Sequence, residues 1–188
     1  NSYICKLIKP KQTMNEIIKK NGIKFGVISG LFSIFYFLAL YIVDYKLFIN
    51  IWLGIAVLLA FLAIGIFQLS ELRKNLGGFM TFKEGFTGYF ISALIGILIS
   101  TGFSILLFNF IDTETRDLIH EELITFQVEN LQKWNVPAGE IKKVVEGMKE
   151  TPQFSITGLL YGVLKSLLGS IVFGLILAAI FKKNKPVF

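Results

Sequence analysis

GFTGYFISALIGILISTGFSILLFNFI, running from Gly85 to Ile111, is 27 residues without a charged side chain. A helix rising 1.5 Å per residue needs about 20 apolar residues to cross a hydrocarbon core of about 30 Å. Lipid offers no partner to an unpaired backbone N–H or C=O, so a spanning segment is a helix or part of a closed barrel. Barrel strands would alternate in polarity over about ten residues, and Ile91 to Leu98 does not alternate. The stretch reads as a transmembrane helix.

Three more stretches read the same way. Phe25–Val43 has 19 uncharged residues, Leu47–Ser70 has 24, and Phe154–Phe181 has 28 with one charge, at Lys165. Together the four hold 98 of 188 residues, too many for the remaining polar chain to cover in water. The fold expected is all-α: an integral membrane four-helix bundle with spans at about 22–43, 47–70, 85–111 and 154–181. Residues 15–184 form a single domain, and residues 1–14 are expected to be a tail or an upstream extension. The first span is longer than a signal-peptide core of 7–15 residues and lacks a small-residue cleavage site, so it is expected to stay uncleaved.

Charge orients the chain. Twelve Lys and Arg fall in 1–24, 71–84 and 182–188, against six in the segments on the opposite side. The Lys/Arg excess marks the cytoplasmic face, so both termini are expected in the cytoplasm, with the protein in an inner (plasma) membrane. The overall net charge of +6 is therefore a topology signal and a contact with anionic lipid. No groove-reading or aromatic-basic pattern points to nucleic acid.

Within lipid, helices associate through small residues that let backbones approach. Gly158, Gly162, Ser166, Ser170, Gly174 and Ala178 recur every fourth residue in the last span. Gly88, Ser92, Gly96, Ser100 and Ser104 do so in the third, and Gly22, Gly26 and Gly30 in the first. These stripes are expected to be buried packing faces, with homo-oligomerisation as the alternative. The short Asp44–Lys46 link makes spans one and two antiparallel neighbours, and Tyr41, Tyr45 and Trp52 mark an interfacial aromatic belt.

Residues 112–153 are different material, with nine acids and five bases. Asp112 or Thr113 can cap a helix in which Ile119, Leu123 and Phe126, beside Ile124, Val128 and Leu131, recur at helical spacing. Asn135-Val136-Pro137-Ala138-Gly139 breaks it, because proline lacks the N–H. A second helix places Ile141, Val144, Val145 and Met148 on one face, and Thr151-Pro152 ends it. This is an amphipathic helical hairpin inserted between spans three and four. Its apolar stripes need cover from each other, from the bilayer surface or from a partner, and the sequence leaves that choice open.

Catalytic signals are absent. No nucleophile elbow, zinc-protease motif or phosphate loop occurs, and one cysteine (Cys5) and one histidine (His120) cannot build a metal cluster. No cofactor and no metal site is expected. His120-Glu121-Glu122 reads as a solvated charged helix face, and Gly77-Gly78 as a flexible turn. Lys165 is the one charge inside a span, about 10 Å below the surface. Such a group is a functional candidate, against the plainer reading that its stem snorkels to the interface. Asp44 and Asn109 are the candidate partners at that level.

The stretch Glu71 to Phe86, a basic loop with a Gly77-Gly78 turn and a phenylalanine-led entry into the third span, resembles the central signature of a bacterial membrane family, domain of unknown function 4199. Gly139-Glu140-Ile141, Pro152-Gln153-Phe154 and Ala178-Ala179-Ile180-Phe181-Lys182-Lys183 resemble it too, and the similarity covers roughly residues 15–184. The resemblance implies a four-helix inner-membrane protein and transfers no catalytic or ligand residue. The function expected is that of a non-enzymatic envelope or interaction protein whose hairpin, residues 112–153, contacts a partner or the membrane surface. The alternative is a small transporter or channel component using the Lys165 level.

Overall fold

The computed structural model describes residues 13–185. Most of the expected 1–14 tail, and Cys5 with it, lies outside the described residues. Helix α1 spans Met14–Val43 and α2 Ile51–Asn75, with a 3-10 turn at Tyr45–Ile49 between them. Helix α3 spans Phe82–Leu106 and ends in a π-helical turn, Leu107–Ile111. The hairpin is α4 (Thr113–Lys133) and α5 (Ala138–Glu150), and α6 (Ile156–Phe181) closes the bundle. Four of these helices are long and apolar enough to cross a membrane.

Local chemistry sets the ends. Thr13 and Glu16 form a capping box at the start of α1, and Thr81 and Glu84 form another at α3. Asp112, one of the two expected caps, accepts from the Thr115 N–H at the start of α4. Two boundaries differ from the apolar runs. Helix α1 begins well before Phe25, because the capping box starts a helix in the polar segment that precedes the span. Helix α2 begins at Ile51 rather than Leu47: Asn50 Oδ1 accepts from the N–H groups of Trp52 and Leu53 and fixes the first turn there. Leu47–Ile49 instead fold into the tight turn, which sends Phe48 into the bundle.

Helix α3 is the spine. A Cβ built on Gly22, Gly26 or Gly30 would come within 2.8, 2.7 and 2.7 Å of the Cβ of Ile91, Ile95 and Ile99 respectively. The partners advance together by four residues, so α1 and α3 run parallel, with isoleucines of one lying over the glycines of the other. Gly88 lies where α1 and α2 both approach: a Cβ there would meet Leu72 of α2 at 2.7 Å and Ile18 of α1 at 3.6 Å. The Tyr89 ring sits between two more glycines. A Cβ on Gly65 of α2 would approach it to 2.9 Å, and one on Gly174 of α6 to 2.8 Å.

Two cores close the ends of the bundle. At the end carrying the termini, Ile18, Leu69, Leu72, Met80 and Leu177 are buried together. Met80 and Lys183 exchange two backbone hydrogen bonds of 2.9 and 2.8 Å, joining the α2–α3 turn to the exit of α6. That turn reverses at Gly77 and Gly78, whose φ of 82° and 88° suit only glycine. At the hairpin end, Leu107, Phe108, Ile119 and Phe154 are buried, with Phe37, Tyr41 and Phe48 packed against them. Between the cores, Phe35, Phe67 and Leu168 are about two-thirds exposed, facing where lipid would be.

Candidate functional site

The bundle is tight on one side and open on the other. All four buried residues of α2, Gly65, Gln68, Leu69 and Leu72, lie in its second half. Its first half stands away from the rest and leaves a cavity of ≈ 520 Å³ beyond Tyr89 toward the hairpin end. One wall carries hydroxyls: Ser29 and Ser33 from α1, Ser92 and Ser100 from α3, and Ser166 and Ser170 from α6. The facing wall is apolar, with Val57, Leu58, Phe61 and Ile64 of α2 and Phe173 of α6. Leu58 and Ser166 are exposed and stand at its rim. No charged side chain lines it.

Some polar groups in the wall are satisfied internally. Ser29 donates to Gly26 O, Ser33 to Ser29 O and Ser170 to Leu167 O, at 2.8–3.0 Å. The Gln68 amide N–H donates to Gly88 O at 2.8 Å, cross-linking α2 to α3 while 1% exposed. Its carbonyl oxygen has no donor among the described residues, and neither does the hydroxyl of Ser92, which is 5% exposed.

The expected stripes divide on this geometry. Gly26 and Gly30 sit in the α1–α3 contact, Gly88 against Leu72, and Gly174 against Tyr89. Gly96 takes Ser29 against its Cα, and Gly158 sits over the Pro152 carbonyl, so its contact is with the loop before α6. Gly162 is a correction: nothing lies within 4 Å of a Cβ built there. Ser92, Ser100, Ser166 and Ser170 line a void rather than a packed seam, because α2 leans away at that depth.

Lys165, Asp44 and Asn109 are not brought together. Lys165 is exposed and meets no carboxylate among the described residues. The Asp44 carboxylate accepts from the Lys46 N–H at 2.9 Å, and Asn109 Nδ2 donates to Phe154 O at 2.9 Å. That last bond is made from the π turn, which ties the end of α3 to the start of α6.

The hairpin end has its own polar network. Tyr41 Oη donates to Asp112 Oδ2 at 2.7 Å, and Thr115 donates to the same carboxylate through its N–H at 2.9 Å and its hydroxyl at 2.7 Å. The Thr115 N–H, then Tyr41 and the Thr115 hydroxyl, hold the Asp112 carboxyl below its usual range. Lys46 pairs with Glu122 at 3.1 Å. His120 is another correction. Both ring nitrogens are buried without a hydrogen-bond partner, so it is no part of a solvated face. Burial lowers its pKa, against the opposing pull of Asp117 and Glu121.

Gln68 and Tyr89 have no role in the sequence reading, and Asp112 figures there only as a helix cap. A lone amide in the apolar run of α2 was a visible signal, since polar groups within a span are rare and placed for a reason. No group of three His, Cys, Asp or Glu suited to a metal occurs among the described residues.

A four-helix bundle whose apolar flanks face outward all round, with a capped hairpin at one end, defines an integral, multi-pass membrane protein. The chain belongs to the family described as Protein of unknown function (DUF4199), whose model matches residues 24–183. No curated protein and no solved structure matches it.

Proposed function

We propose that this is a non-enzymatic membrane protein that presents its hairpin to a protein partner outside the cytoplasmic side of an inner (plasma) membrane. The observation that carries this reading is the contrast between the two hairpin helices. Helix α4 is anchored through Ile119, the Lys46–Glu122 pair and the Asp112 network. Helix α5 has no buried residue, and α4 is its main support. A fixed arm carrying a free amphipathic helix suits a binding role.

Charge favours a protein over the lipid surface. Helices that lie on anionic bilayers are rich in Lys and Arg, whereas Glu140, Glu146 and Glu150 balance Lys142, Lys143 and Lys149 on α5. The whole hairpin is acidic, and anionic headgroups would repel it. Trp134, 75% exposed at the hairpin tip, and Val144, 38% exposed on α5, are the apolar points of contact.

Photocrosslinkers at Trp134 and Val144 in native membranes are expected to give a discrete adduct with another protein. Adducts with lipid alone would overturn the reading. Orientation is tested by thiol labelling: Lys143→Cys is expected to react from outside and Lys183→Cys only after permeabilisation. The Lys165 level supports no transport reading, since neither expected partner faces it and it lies outside the cavity lining.

A further inference from the structure

We infer that the cavity between α1, α2, α3 and α6 is a binding site for an uncharged amphiphile. The ligand class has hydrocarbon on one edge and hydrogen-bonding oxygen on the other. This stands apart from the hairpin reading and rests on different residues.

Size comes first. A volume of ≈ 520 Å³ falls within the range of about 300–1,000 Å³ typical of small-molecule pockets. The chemistry of the walls comes second. Ser92 and Gln68 are each more than nine-tenths buried and border the cavity, and no hydrogen bond from the described residues reaches the Ser92 hydroxyl or the Gln68 carbonyl. Inside a membrane an unmatched polar group costs several kcal/mol, because lipid tails cannot replace water. An occupant that supplies hydrogen-bonding oxygen relieves that cost, which a hydrocarbon chain alone cannot do.

The opposite wall excludes the two simpler occupants. Water could bond along the serine edge, where it finds polar partners, but Val57, Phe61, Ile64 and Phe173 offer it nothing, so water alone leaves the apolar part of the space unmatched. A charged ligand would be desolvated without a counter-charge, since no Lys, Arg, Asp or Glu among the described residues borders the space. A molecule with one oxygen-bearing edge and no net charge matches both walls. Leu58 and Ser166 at the rim leave it a route in from the bilayer.

Two glycines of α6 supply a matched test. Neither Gly162 nor Gly169 has an atom within 4 Å of a built Cβ, but only Gly169 lines the cavity. A leucine at Gly169 therefore starts from open space and extends into the site, while Gly162→Leu makes the same chemical change outside it. The purified protein is irradiated with a diazirine-bearing long-chain alcohol, and in parallel with the corresponding carboxylic acid at neutral pH. The alcohol is expected to label peptides containing Phe61 and Phe173. Gly169→Leu should cut that labelling at least about fivefold, Ser92→Ala about twofold or more, and Gly162→Leu should leave it unchanged. Equal labelling of the Gly169→Leu and Gly162→Leu proteins would overturn the inference, as would equal labelling by the acid. Adducts confined to lipid-facing residues such as Phe67 and Leu168 would also overturn it. Circular dichroism of each variant confirms that loss of labelling is not loss of fold.

Discussion

Tyr41, at the end of the first span, holds Asp112, at the start of the hairpin, by a 2.7 Å hydrogen bond. The same carboxylate caps α4, so one side chain fixes both the first turn of the hairpin and its attachment to the bundle.

Removing that bond has a defined cost. Tyr41→Phe keeps the ring in the aromatic cluster and deletes only the hydroxyl. It is expected to lower stability by about 1 kcal/mol and to speed proteolysis within 113–150. The pH response follows from the sign of the Asp112 shift. A depressed carboxyl contributes stability above its ordinary pKa and loses it as pH falls through the folded value. Without the tyrosine hydroxyl the folded value rises, so acid loosening of the hairpin begins at a higher pH. Acid titrations of both proteins by hydrogen exchange check this.

Glycines in the spans differ sharply in their tolerance. Gly26→Val forces a side chain into Ile95 and is expected to cost about 1–3 kcal/mol, read as a lower melting temperature in detergent. Gly162→Leu, which the sequence pattern marks as disruptive, is expected to stay within about 0.5 kcal/mol. A comparable loss in both would mean that α6 packs against something besides these helices.

Asn21 sits 4% exposed in α1, next to the Lys24–Glu71 pair of 2.7 Å, with both amide atoms unpartnered. Leucine has the same branched shape and no polar group to satisfy. Asn21→Leu is expected to stabilise by about 1–2 kcal/mol. A destabilised variant would show that the amide is matched in the membrane.

Acid should act through His120 as well. Its folded pKa is lowered by burial, so the unfolded chain takes up the proton first as pH falls below about 6.5. Native stability drops across that range until the folded value is passed. His120→Phe is expected to flatten the pH 5–7 portion of the stability profile while leaving the Asp112 step at lower pH. An unchanged slope in the variant would falsify this assignment.

How much of this is legible in the chain depends on the kind of contact. The spans were plain because crossing lipid demands a long uncharged run, and the hairpin break was plain because Pro137 has no N–H to donate. Glycine spacing located the α1–α3 seam but could not separate Gly26 from Gly162, since a repeat of four records a helix face and not what lies opposite it. The search for charge within the spans singled out Lys165, which the fold leaves exposed. Buried polar groups that border the cavity include the neutral Gln68 and Ser92, whose environment depends on where α2 tilts, and tilt is a tertiary property. Asp112 likewise looked like a local cap until the fold brought Tyr41 beside it.

The pairing of Met80 with Lys183 also bears on how the chain is assembled. The loop before α3 finds a backbone strand partner in residues that follow α6. Three spans precede that partner in the chain, so the pairing forms only once α6 is in place beside the loop. The pairing is a latch that a product lacking α6 cannot close.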